Sequence, residues 1–350
     1  MDIRSPLVSR QLRGGTLPGW APYGVIAGSL AFTAALLLVT GAFAVGLLMV
    51  VGTIVSCIAI YAWSRAVEGP RRALDRLMTF AIAAAFALAL IPLLSLLFQV
   101  TQRGLPGLDW EFLTGTPRGV IGGGGAAHAI VGTVVITGVA AAISVPIGIM
   151  AAIYLNEYGE GRLRRALTFF VDVMTGIPSI VAGLFAYALF AIFFGPGIRL
   201  GIMGSLALSV LMIPIVIRSA EEVLKIVPNH LREASYALGT PKWKTIVKVV
   251  LPTAFAGLVT GVMIGIARIV GETAPLLVTT GVVDSINTNP FQGRMQNLAV
   301  YAYSEYRTPG VMKQASYDRA WAAALTLIVI VMILNLVARL IYRRYKTEIR

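Results

Sequence analysis

The residues best suited to chemistry lie in one apolar run, "GLVTGVMIGIARIVGETAPLL", which begins at Gly257. Gly257, Gly261, Gly265, Arg268 and Glu272 are spaced 4, 4, 3 and 4. On a helix turning 100° per residue, all five fall within an arc of about 80°. The glycines let another helix approach closely. Beyond them, one guanidinium and one carboxylate share the same face. An arginine in hydrocarbon costs about 2.5–3.5 kcal/mol on insertion scales, so it must meet a partner or water. Two readings follow. Arg268 and Glu272 pair at i,i+4 and stabilise a packed helix, or Arg268 lines a path for an anion. The second is favoured, because intramembrane charges are by default functional and a planar, permanently charged fork holds two oxyanion oxygens at once. Pro275 is expected to bend or break this helix, and transporters place ligand-facing backbone at such breaks. Pro178 and Pro146 offer similar kinks. Arg218, which follows "LMIPIVI", is a second candidate, as an interfacial anchor or as an anion contact.

Several chemistries are excluded. The only histidines are His128 and His230, and the single cysteine is Cys57, so no thiolate metal cluster or disulfide can form within the chain. No P-loop is present, so the chain does not hydrolyse ATP itself. An intramembrane serine protease, suggested by Gly122–Gly125 with His128, would need a serine at a helix N-terminus within reach of a histidine. No GxSG-type serine exists here.

The elements that must position Arg268 follow from composition. Of 350 residues, 57% are hydrophobic and 13% charged, and the mean hydropathy is +0.81. Several runs approach the ~20 apolar residues needed to cross a bilayer. They are solidly apolar rather than alternating, which selects helices over barrel strands. Eight spans are predicted, at 22–41, 43–63, 76–98, 128–154, 168–194, 201–217, 249–280 (long and broken) and 320–342. "AFA" at 42–44 resembles a signal cleavage site, but a second apolar run follows at once, so a retained hairpin is expected. The net charge of +13 does not point to nucleic acid, because the basic residues flank the apolar runs. With both termini in the cytoplasm, 21 basic residues fall inside and 7 outside, with Arg268 within a span. Segments 99–127 and 281–319 are then external, and their Gly, Pro and Asn content suits loops and short surface helices.

One cytoplasmic segment, 218–248, is long and charged, and the wider stretch 218–252 reads as helix, turn, helix. Within it lies "EASYALGTPKWKTIVKVVLP" at 233–252. Pro228 and Asn229 open the first helix, with Asn as a cap. Gly239 suits the left-handed position that closes it. Thr240 can cap the next helix, with Pro241 at its first position. Leu231, Ser235 and Leu238 share one face, with Ala234 beside them. So short a helix needs something to dock against.

The order Glu233-Ala234-Ser235, Gly239, Val249, Leu251-Pro252 resembles the EAA loop of ABC importer permeases, with Ser235 where the family often has Ala. The resemblance extends to "MTGIPSIVAGLFAY" at 174–187, "ARIVGETAPLLVTTG" at 267–281 and "GGGGAAHAIVGTVVIT" at 122–137. These look like the phosphate-specific importer in its membrane subunit, the PstA-type permease. It covers roughly residues 76–345 and implies an all-α, six-span type I permease core. The spans at 22–75 would be an additional hairpin, 1–21 and 346–350 being cytoplasmic ends. It further implies coupling through Glu233, Ala234, Ser235, Gly239, Leu251 and Pro252, and an anion path past Arg268, Glu272 and Arg218. The implied partners are a second, PstC-type permease, two PstB-type ATP-binding subunits using ATP and magnesium, and an extracytoplasmic PstS-type phosphate-binding protein. The implied location is the bacterial inner membrane, in contact with lipid. Sulfate or molybdate permeases are the nearest alternatives, and an anion channel a more distant one.

Overall fold

The computed structural model describes residues 16–117 and 124–345, with side chains to residue 340. Arg118, Gly122, the first fifteen residues and the tail 346–350 lie outside the described residues. Every regular element among the described residues is helical. The chain divides into two compact units, Met1–Phe98 and Gln99–Arg350.

The first unit holds α1 (Ala21–Val39), α2 (Val45–Glu68) and the first part of α3 (Pro70–Gly104). Gly52 of α2 faces Leu30 of α1, so a missing side chain lets the two helices close. Glu68 fastens the corner between α2 and α3. Its carboxylate accepts from Arg76 Nε at 2.5 Å and Nη2 at 2.7 Å, from Ser64 Oγ at 2.7 Å and from the Leu17 amide at 2.7 Å.

The second unit carries α4 (Trp110–Thr114) and α5 (Ala127–Ile153), which continues as a π-turn over Tyr154–Tyr158. Then come α6 (Gly161–Thr175), α7 (Ser179–Phe194), α8 (Gly201–Ile226) and the short α9 (Asn229–Ala237). α10 (Lys242–Thr245) runs through a π-turn at Ile246–Val250 into α11 (Leu251–Val270). α12 (Ala274–Thr279), α13 (Leu298–Arg307) and α14 (Lys313–Tyr345) complete it. Among the described residues, seven helices are long and apolar enough to cross a membrane, or eight if α6 and α7 form one span.

The span expected over 168–194, with a kink offered by Pro178, is sharply broken. α6 and α7 are bent by 106°. The break falls at Gly176–Pro178, where Pro178 cannot donate and its predecessor is pushed out of helical geometry. Pro146, by contrast, sits inside an unbroken α5. The long span at 249–280 is broken as expected: α11 stops at Val270, and Pro275 lies in the first turn of α12, where a missing N–H costs little.

The core of this unit gathers Ile136, Ala140, Leu208, Met212, Val216 and Ile269 from α5, α8 and α11. Small hydroxyls tie α5 to α8: Ser205 Oγ donates to the Ile136 carbonyl at 3.1 Å, and Ser209 Oγ to that of Ala140 at 3.4 Å. The segment 281–319, expected as loops and surface helices, is partly internal. Leu298 and Tyr301 of α13 are buried against α5 and α14, and Val300 in the core shared by α5, α8 and α11. Asn297 caps α13, its Oδ1 accepting from the Val300 amide at 3.0 Å, and the Leu298 amide donates to Thr133 Oγ1 at 2.8 Å.

Candidate functional site

The glycine face of α11 is a helix-packing surface. A Cβ on Gly257 would meet Val223, one on Gly261 would lie 2.7 Å from the Ser219 Cβ, and Gly265 faces Val216 and Met212. All four neighbours lie on α8, so backbone-to-side-chain packing replaces side-chain interdigitation along this seam. Just past Gly265, the same face presents Arg268, which is exposed. The helix ends two residues later, and Glu272 lies in the break before α12. The i,i+4 ion pair is therefore not formed; neither side chain has a hydrogen-bond or ion-pair partner among the described residues. The break itself is anchored. The Glu272 carbonyl accepts from Asn297 Nδ2 at 3.3 Å, which links α13's cap to the end of α11.

Arg218, on α8, is held differently. Nη1 donates to Glu221 Oε2 at 2.9 Å and Nη2 to Asp172 of α6, while Lys225 Nζ donates to Glu221 Oε1 at 2.9 Å. Two carboxylates thus already occupy this guanidinium.

The segment with the EAA-like spacing forms α9, the turn and α10. Gly239 has φ of +73°, the left-handed conformation expected of it. Its amide donates to the Tyr236 carbonyl at 2.9 Å, and that of Thr240 to Ser235 at 3.2 Å. Two local expectations are corrected. Asn229 does not cap α9: it is the first helical residue, and its Oδ1 accepts from Arg232 Nη1 at 3.2 Å. Pro241 is the N-cap of α10 and no side chain caps it, so Thr240 plays no such role.

The packing face of α9 is also narrower than expected. Leu231 packs against the Leu224, Val250 and Ala254 cluster, and Ser235 is buried. Ser235 Oγ and Thr245 Oγ1 share a hydrogen bond of 2.8 Å, which gives the hydroxyl at this position a structural purpose. Leu238, by contrast, is 85% exposed. It is the C-cap, one residue past the last helical residue, so it no longer continues the face. Glu233 and Ala234 are exposed too, as are the large side chains of Tyr236, Leu238 and Trp243. Leu251 packs inward and Pro252, also exposed, lies in the first turn of α11.

Sequence reasoning counted Arg232 only as a basic flank. In the structure it holds α9 to the body. Nη2 donates to Glu157 Oε1 at 2.8 Å and to the Leu224 carbonyl at 3.1 Å, and Nη1 donates to the Val227 carbonyl at 2.6 Å. Both charged side chains are largely buried. Arg232 thus donates to two carbonyls at the C-terminus of α8 while neutralising a carboxylate at the end of α5. Nothing local pointed to it, because Glu157 lies 75 residues away in the chain.

The model of the family described as binding-protein-dependent transport system inner membrane component matches residues 144–350. The phosphate transport system permease protein PstA 1 of Mycobacterium tuberculosis is 46% identical over 275 residues, covering 77% of this chain and 88% of that protein. PstA of Yersinia pestis is 37% identical over 281 residues, covering 79% and 92%. A solved bacterial alginate ABC transporter, in complex with an alginate pentasaccharide-bound periplasmic protein, superposes with a TM-score of 0.54. It shares 16% identity and covers 81% of this chain and 99% of that one, a likeness of fold. With its family-model match over more than half its length and close relatives along most of it, the chain belongs to the binding-protein-dependent transport system inner membrane components.

Proposed function

We propose that this chain is one permease subunit of an ATP-driven importer for inorganic phosphate, forming half of the translocation path. The observation that carries the substrate is the 46% identity to a phosphate transport permease along most of both chains. The exposed Arg268, without a partner among the described residues at the end of α11, supports the path. A phosphate leaving water meets there a fixed fork of donors with no carboxylate already bound. Arg218 contributes only if it releases Asp172 or Glu221.

ATP, with magnesium, is hydrolysed by two PstB-type partner subunits. Their motion reaches the membrane through α9, whose exposed Tyr236 and Leu238 beside the Glu233–Ala234 pair suit a hydrophobic groove. Because α9 is held through Arg232 to α8 and α5, a push on α9 is transmitted to the helix against which the glycines of α11 pack. A second, PstC-type permease completes the path, and a PstS-type phosphate-binding protein delivers the anion from outside. The subunit sits in the inner membrane of a bacterium, both termini in the cytoplasm. There the membrane potential opposes anion entry by about 2.3 kcal/mol per charge per 100 mV, so the ATPase is energetically required for scavenging.

The test is uptake in a strain lacking only this chain, with phosphate, sulfate and molybdate measured in parallel. Loss of phosphate uptake alone is expected. Loss of sulfate or molybdate uptake with phosphate intact would replace the substrate, and flux that persists without the ATPase would make the chain a channel.

A further inference from the structure

The first unit encloses a cleft of about 970 Å³ between α1, α2 and α3. That is the upper end of the roughly 300–1,000 Å³ typical of small-molecule sites. It exists because α1 and α2 pack on each other while α3 stands off from both, and because α3 turns Ala83, Ala84 and Ala87 toward it. Ile26, Leu30, Ile60, Phe80 and Leu88 make the rest of its length apolar. Of the hydroxyls that line it, those of Thr53 and Ser56 donate to their own helix, Thr53 Oγ1 to the Met49 carbonyl and Ser56 Oγ to that of Gly52, each at 2.7 Å, while Thr16, Tyr23 and Thr79 add three more. Along the apolar stretch between Ile26, Leu30, Ala84 and Leu88 water would find few partners, and an empty space would forfeit its packing contacts. The cleft is suited to hydrocarbon.

Its chemistry changes at the corner between α2 and α3. Four ionised groups line that end: Glu68, Arg72, Asp75 and Arg76. Glu68 and Arg76 satisfy each other. Arg72 and Asp75 remain, exposed and in no hydrogen bond or close ion pair among the described residues, three apart on one face of α3, with Asp75 near enough to Arg76 to act on its charge. One cation and one anion, side by side at the mouth of an apolar cleft, complement a zwitterion on a hydrocarbon tail. A purely anionic headgroup would leave Asp75 repelled. We propose that this cleft binds a phospholipid whose headgroup carries a phosphate and a primary ammonium, the phosphate on Arg72, the ammonium on Asp75 and acyl chain along the alanine stripe.

The experiment extracts the full transporter in native-lipid discs, exchanges it into detergent and measures retained lipid by mass spectrometry. Phosphatidylethanolamine should be retained and enriched over phosphatidylglycerol relative to the bulk membrane. Arg72→Ala should lower retention about fivefold, the factor one interfacial basic residue supplies. It lies at an exposed position, so packing is undisturbed. Asp75→Asn should shift the preference toward phosphatidylglycerol, and Ala84→Phe should fill the cleft and release the lipid. Three results would each overturn the proposal: no retained lipid, preference for phosphatidylglycerol in the unmodified chain, or retention unaffected by Arg72→Ala and Ala84→Phe together. Crosslinking of an Ala84→Cys variant to another protein helix, in place of lipid, would also overturn it.

Discussion

Arg268 and Arg218 carry the same charge and are held in opposite ways. Arg218 sits between Asp172 and Glu221, whereas Arg268 has no partner within the described residues. A guanidinium meant only to stabilise the fold would be paired, since an exposed, unpaired charge adds nothing to packing. Arg268→Ala should therefore lower phosphate uptake by roughly 10–100-fold, the worth of one or two charge-assisted hydrogen bonds, with assembly unchanged. Arg268→Lys should be impaired as well, because a point charge lacks the bidentate fork. Glu272 lies past the end of α11, so the double variant Arg268→Gln, Glu272→Gln should stay inactive; rescue by it would return Arg268 to a structural role. Arg232 offers the contrast of a buried, fully used guanidinium. Arg232→Ala would leave Glu157 buried without its counter-ion, a loss of about 3–5 kcal/mol. A lowered melting temperature of the purified transporter is expected, and it should partly recover when Glu157→Gln is added. An unchanged melting temperature in Arg232→Ala would remove the pair from the anchoring of α9.

At the scale of elements, α9 and its turn act as one rigid piece only if Gly239 holds its left-handed geometry. Its φ of +73° strains a residue with a Cβ, by about 1–2 kcal/mol and more for a β-branched one. Space is not the obstacle, since nothing lies within 4 Å of a Cβ there. Gly239→Val should leave the protein in the membrane yet uncouple it, so that ATP hydrolysis by the complex no longer tracks uptake. Wild-type uptake in this variant would refute the coupling role of α9. This turn was legible in the sequence because glycine signals φ directly, and the packing of Gly257, Gly261 and Gly265 was legible because their spacing fixes one face. Other features were not. Leu238 fits the 4–3 spacing of a packing face, but the helix stops before it. Pro178 marks a break without revealing that its two helices differ by 106°. The Glu157–Arg232 pair depends on how α5, α8 and α9 meet, which no local pattern encodes.

For the whole molecule, the helix order turns the charge asymmetry into a definite arrangement. The connection carrying α4 and the segment carrying α9 and α10 must lie on opposite sides, because three crossings, namely α5, the α6–α7 pair and α8, separate them if the bent pair crosses once. If α6 instead lies flat and α7 re-enters, only two crossings remain and both segments share a side. Labelling distinguishes the two. Asp109 should be left intact, since its Oδ1 caps α4 through the Phe112 amide at 2.6 Å. Trp110, beside it, is 78% exposed, and Lys244 is exposed on α10. In a Cys57→Ser background, Trp110→Cys should react with an impermeant maleimide in intact cells, and Lys244→Cys only after permeabilisation. Labelling of both in intact cells would make α6 and α7 re-entrant and place α9 away from any cytoplasmic ATPase. Labelling of Lys244→Cys alone would invert the molecule. The expected pattern puts α9 where ATP is and the first external helix where a binding protein arrives, the geometry that a pump working against the membrane potential requires.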